Sequence, residues 1–127
     1  IASLQAARGA LSSVTAMAKG KHLVSPSPPI ATLFEGALIT YATVVASGYP
    51  RADSGLANAA GLGSIDYTLV AAGSAATANS PATSFTEVAF IPVSVAGSPA
   101  GLTCFVKYTE PATATGSPSF TVFTSGC

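Results

Sequence analysis

Charged side chains are scarce in this 127-residue chain. Five Lys or Arg side chains balance five Asp or Glu side chains, with no block of like charge. A nucleic-acid-binding protein needs a basic surface to displace counterions from phosphates, so this composition argues against nucleic-acid partners. The surface must instead consist largely of Ser, Thr, Ala and Gly. Such a surface suits a protein outside the cytoplasm, or one that packs beside its own copies.

Long apolar runs are absent as well. The chain has no stretch of about 18 consecutive apolar residues, the length that a membrane-spanning helix requires, and no secretory signal peptide. It begins at Ile1 inside a helical pattern, without a Met or an N-cap residue. Two explanations stay open at this point. Either proteolytic maturation cuts just ahead of Ile1, or an upstream part of the same helix, such as a membrane segment, is missing.

Residue types that commonly perform catalysis or bind metals are few and widely spaced. His22 is the single histidine, and at a helix end a solvated or cap-contacting histidine is the ordinary interpretation, because catalysis would need a nucleophile and an acid beside it. One histidine and two distant cysteines lack zinc-site spacing, and Gly61-Leu62-Gly63 lacks the third glycine of a dinucleotide fingerprint. The carboxylates form neither a glycosidase-type pair nor an EF-hand pattern: Glu35, Asp53, Asp66, Glu87 and Glu110. We therefore predict no catalytic residue, no cofactor, no metal centre and no enzymatic activity, with a weak cation site on loop carbonyls as the open alternative.

The strongest periodicity in the chain lies in residues 1–21. Apolar side chains recur there at steps of three and four: Leu4, Ala7, Leu11, Val14 and Ala18. This stripe predicts an amphipathic helix of about five or six turns. Gly20 is expected to end it as a left-handed cap, ahead of prolines at positions 26, 28 and 29. We expect Leu4, Leu11 and Val14 to pack against a sheet.

Residues 22–65 are predicted to connect this helix to a later sheet. Positions 22–31 are rich in proline, and the β-branched run 38–45 suits either a strand or a short helix. Pro50 disfavours helix at Tyr49 and stops that run. Ser54 is expected to cap a short helix over 54–62.

Residues 66–127 are predicted to form an antiparallel sheet. Four runs have strand character: 66–70, 85–95, 102–109 and 119–124. Pro92 would interrupt a central ladder, so it indicates an edge or a bulge. In the third run, alternate residues should share one face: Leu102, Cys104, Val106 and Tyr108. One α+β domain over 1–127 follows, with the helix laid across one sheet face.

Two cysteines occur late in the chain, at positions 104 and 127. Their even number and the terminal position of the second predict a disulfide that holds the C-terminus. Closing such a loop is worth roughly 3 kcal/mol in the chain-entropy model, and it implies an oxidising compartment. The alternative is a pair of unrelated buried thiols.

Several segments taken together carry a family resemblance. They are Ile1-Ala2-Ser3-Leu4-Gln5-Ala6-Ala7-Arg8-Gly9, the Gly48-Tyr49-Pro50 turn, Gly55 with Ala60-Gly61-Leu62, Cys104-Phe105-Val106-Lys107-Tyr108, and the closing Gly126-Cys127. In this order they resemble the soluble head of a type IV pilin, most closely the mannose-sensitive haemagglutinin pilins of Gram-negative bacteria. The leader motif of that family and the glutamate after it are absent from this sequence.

The resemblance implies a fold and a function. The fold is a long N-terminal helix packed on a four-stranded antiparallel sheet, with residues 1–21 as the second half of the helix, 22–65 as a connecting αβ region, and 66–127 as the sheet with its C-terminal disulfide loop. The function is that of a structural subunit, which polymerises into a type IV pilus for attachment, biofilm formation or motility. Its partners would be its own copies and the pilus assembly machinery. It would touch a membrane only through the missing half of the helix, at the inner membrane, before it joins the extracellular pilus.

Two other functions stay open. A pseudopilin of a type II secretion system shares the helix-and-sheet plan, but many major pseudopilins bind calcium near the C-terminus in place of a disulfide, so Cys104 and Cys127 favour the pilus. An adhesin module that binds carbohydrates or surfaces is the alternative of a different class. Its stacking platforms would come from the tyrosines: Tyr41, Tyr49, Tyr67 and Tyr108.

Overall fold

The computed structural model describes residues 2–24, 31–34, 37–41, 48–63, 65–113 and 116–127. Within them the chain is α+β. The helices are α1 (Ala2–Val24) and α2 (Ser54–Ala59), with a 3-10 helix at Pro99–Leu102. The strands are β1 (Ala31–Phe34), β2 (Ala37–Thr40), β3 (Tyr67–Val70), β4 (Glu87–Pro92), β5 (Phe105–Thr109) and β6 (Ser119–Phe123).

Helix α1 extends further than the sequence predicts. It continues through Gly20 to Val24, and Gly20 does not adopt a positive φ, so the predicted left-handed cap is wrong. A glycine inside a helix costs only about 1 kcal/mol relative to alanine. Packing of the apolar face of α1 outweighs that cost, because Ala18, two residues earlier, is fully buried. The described helix runs to Val24, beyond the predicted end at residue 21.

The main sheet is an antiparallel meander of four strands in the described part of the chain. Its strand order is β3-β4-β5-β6, each strand pairing with the next one in sequence. Pro92 pairs with Tyr67, at the end of a central strand. The prediction of an edge strand is therefore wrong, but β4 pairs with β5 only over Glu87–Phe90. Pro92 lies beyond that stretch, so its missing N–H breaks no ladder bond with β5.

Helix α1 lies against one face of this sheet. Leu4 and Leu11 are fully buried and Val14 is 6% exposed. They form one cluster with alternate residues of the two central strands, namely Val88, Phe90, Val106 and Tyr108. The other face carries a smaller cluster of Val70, Ala89, Ile91 and Phe105. Fully burying a Leu or Val side chain is worth about 1.5–3 kcal/mol, so the apolar stripe of α1 is a principal source of stability.

A short hairpin precedes the main sheet, and its second strand matches the start of the run 38–45, for which a strand was one of the two predicted alternatives. Strands β1 and β2 pair antiparallel, with Ala31 opposite Thr40 and Phe34 opposite Ala37. Ile39 of β2 is fully buried in the main cluster. Only the start of the predicted run 38–45 falls within the described residues, because 42–47 lie outside them.

Two predicted element boundaries are wrong for local reasons. Asp53, not Ser54, caps α2, because its carboxylate accepts hydrogen bonds from the backbone N–H groups of Gly55 and Leu56. Asp is at least as good an N-cap residue as Ser. Leu102 ends the 3-10 helix and is 38% exposed, so it does not share the buried face of β5. The preceding Pro99 suits the first turn of such a helix.

Candidate functional site

The C-terminus is tied to the sheet by a disulfide. Cys104 and Cys127 are joined, with their Cα atoms 5.0 Å apart. Cys104 is buried at the start of β5 and Cys127 is exposed. The backbone N–H of Gly126 also donates to the carbonyl of Thr103, at 3.1 Å. This staple holds the chain after β6 against the entry to β5, so the C-terminal segment is a fixed part of the surface.

The sheet face that points away from α1 carries a small charged and aromatic group. Phe105 and Phe123 stack with ring centroids 4.5 Å apart, and Lys107 lies 5.9 Å from the Phe123 ring centroid. The Lys107 ammonium is 3.3 Å from the Glu87 carboxylate. A hydrogen bond from the Ser84 backbone, helped by Lys107, lowers the pKa of Glu87. Lys107 and Glu87 therefore form an ion pair beside the stacked rings, which has a structural role.

Buried polar bonds attach the segment before α2 to the end of β5. The Tyr108 hydroxyl donates to the carbonyl oxygen of Pro50 at 2.6 Å. The Ala52 backbone N–H donates to Oε2 of Glu110 at 2.8 Å. Each bond joins residues that are 58 positions apart in sequence. Burial raises the pKa of Glu110, although the hydrogen bond from Ala52 and the charge of Arg51 oppose this shift. Burial likewise raises the pKa of Tyr108.

A cleft of about 500 Å³ opens beside these bonds, and we call it the Arg51 cleft. Its polar side consists of Arg51, Asp53, Ser54 and Glu110. Its apolar walls come from the ends of β3 and β4, and include Leu69, Ala72, Phe85 and Val88. The Asp53 carboxylate is occupied with capping α2, and Glu110 is only 7% exposed. Arg51 therefore presents the most accessible charge in the cleft.

Two large apolar side chains are far more exposed than the other large apolar side chains among the described residues. Ile65 is 87% exposed and Phe85 is 86% exposed. They lie near opposite ends of the β3–β4 hairpin, since Ile65 precedes β3 and Phe85 precedes β4. Scattered single exposures of this kind are normal in soluble proteins. Here each residue belongs to a larger feature, because Phe85 forms a wall of the Arg51 cleft and Ile65 lies beside the exposed Val93.

The histidine and the carboxylates named in the sequence analysis do not form a catalytic arrangement among the described residues. His22 lies in α1, but its side chain is outside the described part of the structure, as is Glu35. Among the described residues, no group of three or more His, Cys, Asp or Glu side chains could hold a metal ion. The fold does bring Asp53 and Glu110 to one cleft, although sequence spacing gave no sign of it. Their hydrogen bonds account for their positions, because Asp53 caps α2 and Glu110 accepts the backbone N–H of Ala52.

Two of the four tyrosines proposed as stacking platforms are buried and unavailable for that role. Tyr41 is 4% exposed and donates to the backbone carbonyl of Ala18, and Tyr108 is fully buried. Tyr49 is half-buried, with the Lys19 ammonium 5.1 Å from its ring centroid. Tyr67 is half-buried at the start of β3. These positions weaken the carbohydrate-binding alternative, because a sugar needs an open aromatic face.

Comparison of the chain with protein-family models, with curated proteins and with solved structures yields no significant match. In the part of the chain that the structure describes, every helix is too short or too polar to cross a membrane. The function therefore has to follow from the chemistry and geometry of the chain's own residues.

Proposed function

We propose that this protein is a structural filament subunit, the head of a type IV pilin-like protomer that serves attachment, biofilm formation or motility. The observation that carries the proposal is a long N-terminal helix seated on one face of an antiparallel meander whose C-terminal tail is stapled to the sheet. This is the arrangement that the sequence resemblance implies. In this proposal α1 joins a helical array, and the sheet with its stapled tail covers one face of α1.

The two faces of α1 support this role. One face, which carries Leu4, Leu11 and Val14, is buried under the head. The opposite face exposes small or polar residues such as Ser12, Ser13 and Ala16. In the proposed protomer an apolar segment precedes α1 and packs against its copies in the filament. Burying apolar surface there would drive assembly at about 25 cal/mol per Å².

The composition of the surface supports repeated self-contact. The chain has no net charge and only 8% charged residues. Such a surface resists close packing of identical copies much less than a strongly charged one does. The Cys104–Cys127 bond suits the oxidising environment outside the cytoplasm. The proposed route therefore passes from the inner membrane, through an assembly machinery, to an extracellular pilus.

Deletion of the gene, followed by electron microscopy of the cell surface and immunogold labelling of this chain, tests the proposal. We expect labelled filaments on wild-type cells and their loss in the deletion strain. Unlabelled or unchanged filaments would refute the proposal. The N-terminus of the precursor gives a second test, since the proposed class requires a short basic leader followed by about 20 apolar residues. A high-affinity calcium site would favour the pseudopilin instead.

A further inference from the structure

Two groups of opposite charge line the Arg51 cleft without pairing. The guanidinium of Arg51 is exposed and forms no hydrogen bond or ion pair with the described residues. Glu110 is only 7% exposed. Its Oε2 accepts the N–H of Ala52, whereas its Oε1 accepts no hydrogen bond from the part of the chain that the structure describes. A buried carboxylate oxygen that lacks a donor carries a desolvation cost, so Glu110 favours a ligand that brings a charged donor into the cleft.

Backbone hydrogen bonds hold both residues in place. The N–H of Arg51 donates to the Thr40 carbonyl at 2.8 Å. The N–H of Glu110 donates to the Thr86 carbonyl at 2.9 Å. Burial raises the pKa of Glu110 and the charge of Arg51 opposes this shift, so the two side chains interact at a distance that is too long for an ion pair. A site whose backbone is fixed before the ligand arrives loses little conformational entropy on binding.

The cleft also has an ordered apolar wall. Phe85 is 86% exposed, yet its ring lies so close to Gly73 that a Cβ added there would come within 2.8 Å of it. Gly73 has a φ of 77°, and its N–H donates to the Ser84 carbonyl at 2.9 Å. Leu69 and Val88 extend the wall. The volume of about 500 Å³ falls within the range of about 300–1,000 Å³ that is typical of small-molecule sites.

We propose that the Arg51 cleft binds a free α-amino acid with a large apolar side chain, such as phenylalanine or leucine. The α-ammonium group donates to the carboxylate of Glu110, and the α-carboxylate accepts hydrogen bonds from the guanidinium of Arg51. The side chain of the ligand covers Phe85 and Leu69. The inference goes beyond the proposed function and does not rest on it, because the cleft belongs to a single head.

The charges of the cleft select this class of ligand. Asp53 adds a second carboxylate, one oxygen of which caps α2. An anion with an apolar tail pairs with Arg51 but meets two carboxylates, which is repulsive. A simple amine pairs with a carboxylate and leaves the guanidinium without a partner, and a sugar brings a counter-charge to neither group. An apolar amino acid supplies both charges together with a side chain that covers the apolar wall.

An NMR titration of the purified, isotope-labelled chain at neutral pH tests the proposal, with L-phenylalanine as the probe. We expect saturable binding with a Kd of about 1 mM or tighter, and shifts of the backbone amides that line the cleft. Each of three analogues lacks one feature of the probe. N-acetyl-L-phenylalanine lacks the ammonium group, L-phenylalanine amide lacks the carboxylate, and glycine lacks the side chain. Each should bind at least about tenfold more weakly, because one set of contacts is lost.

Two substitutions assign the charged contacts to their residues. Arg51→Gln should weaken binding of L-phenylalanine about tenfold but leave the affinity for L-phenylalanine amide unchanged, since the amide has no carboxylate. Glu110→Gln should weaken binding of L-phenylalanine to a similar extent and leave the affinity for N-acetyl-L-phenylalanine unchanged. The matched controls make the same chemical changes outside the cleft: Arg8→Gln in α1 and Glu87→Gln on the sheet face away from α1. Both should bind L-phenylalanine as the wild type does.

Several results would overturn the proposal. They are no binding of L-phenylalanine at about 10 mM, shifts confined to residues outside the cleft, and analogues or D-glucose that bind as tightly as L-phenylalanine. If a variant fails to fold, the analogues still test each charge on the wild-type protein. The outcome is separable from the test of the proposed function, because binding is measured on the isolated chain, whereas loss of labelled filaments in the deletion strain concerns only the filament subunit.

Discussion

The buried carboxyl of Glu110 offers the sharpest test of how this structure is held together. Glu110 is 7% exposed, and its Oε2 accepts the N–H of Ala52, itself only 3% exposed, at 2.8 Å. Glu110→Ala removes the acceptor and leaves a buried N–H without a partner, which costs about 1–3 kcal/mol. Glu110→Gln keeps an oxygen at the same place. We therefore expect it to cost less than about 1 kcal/mol in urea unfolding at neutral pH.

The pH dependence of stability distinguishes the charge of Glu110 from its hydrogen bond. Burial raises the pKa of this carboxyl in the folded state, so the folded protein binds the proton more tightly than the unfolded chain does. The resulting stabilisation is fully present below the unfolded pKa of about 4.3 and is lost as the pH rises through the higher folded value. Relative to Glu110→Gln, the wild type should therefore gain stability as the pH falls from about 7 towards 4.

The comparison with Glu110→Gln cancels the contribution of Glu87. Glu87 has the opposite shift, because a hydrogen bond from Ser84 lowers its pKa. Its contribution is present above its unfolded pKa and is lost as the pH falls through the lower folded pKa. Both proteins retain Glu87, so it drops out of their difference. If the free energies of unfolding of the two proteins stay parallel over that range, burial does not raise the pKa of Glu110 and this reasoning is wrong.

Three further predictions concern the staple, the helix and one close contact. Cys127→Ala should lower the free energy of unfolding by about 3 kcal/mol. If a reductant leaves the free energy of unfolding of the wild type unchanged, this prediction is contradicted. Leu11→Ala should cost about 2–5 kcal/mol in urea unfolding. Met17, on the exposed side of the same helix, is 52% exposed, so Met17→Ala should cost under about 0.5 kcal/mol. Equal costs would show that the apolar stripe lies elsewhere. Gly101→Ala should cost about 1–3 kcal/mol, because its Cβ would meet a backbone oxygen. Gly63→Ala is the control, since the space around its Cβ is open. Similar melting temperatures of the two variants would count against tight packing at Gly101.

Local patterns explain the part of the fold that sequence reasoning anticipates. The stripe containing Leu4 and Leu11 repeats with the helical period and is buried along its whole length. Alternate residues of the run 102–109 share one face, since Cys104, Val106 and Tyr108 lie together in the main cluster. Turn-forming residues before β5 and β6 favour antiparallel neighbours, and the sheet is antiparallel. Each of these signals depends on residues a few positions apart, so it can be seen without the fold.

Element boundaries were harder to predict, because competing local signals have similar strength. Gly20 has the propensity to end α1, but the packed turn containing Ala18 keeps the helix intact. Asp53 and Ser54 are both competent caps, and only Asp53 has the extended backbone that an N-cap requires. A difference of about 1 kcal/mol decides such cases, and tertiary packing readily supplies it.

The sequence by itself determined the amphipathic helix, the four runs that form the antiparallel sheet and the two cysteines available at the end of the chain. Only the tertiary structure decided that Glu110 would bind the backbone of Ala52, that the Arg51 cleft would form, and that Ile65 and Phe85 would stay exposed. The physical reason is the distance along the chain. Regular elements follow from interactions between near neighbours, whereas the cleft joins segments as far apart as Arg51 and Glu110, which no periodicity connects.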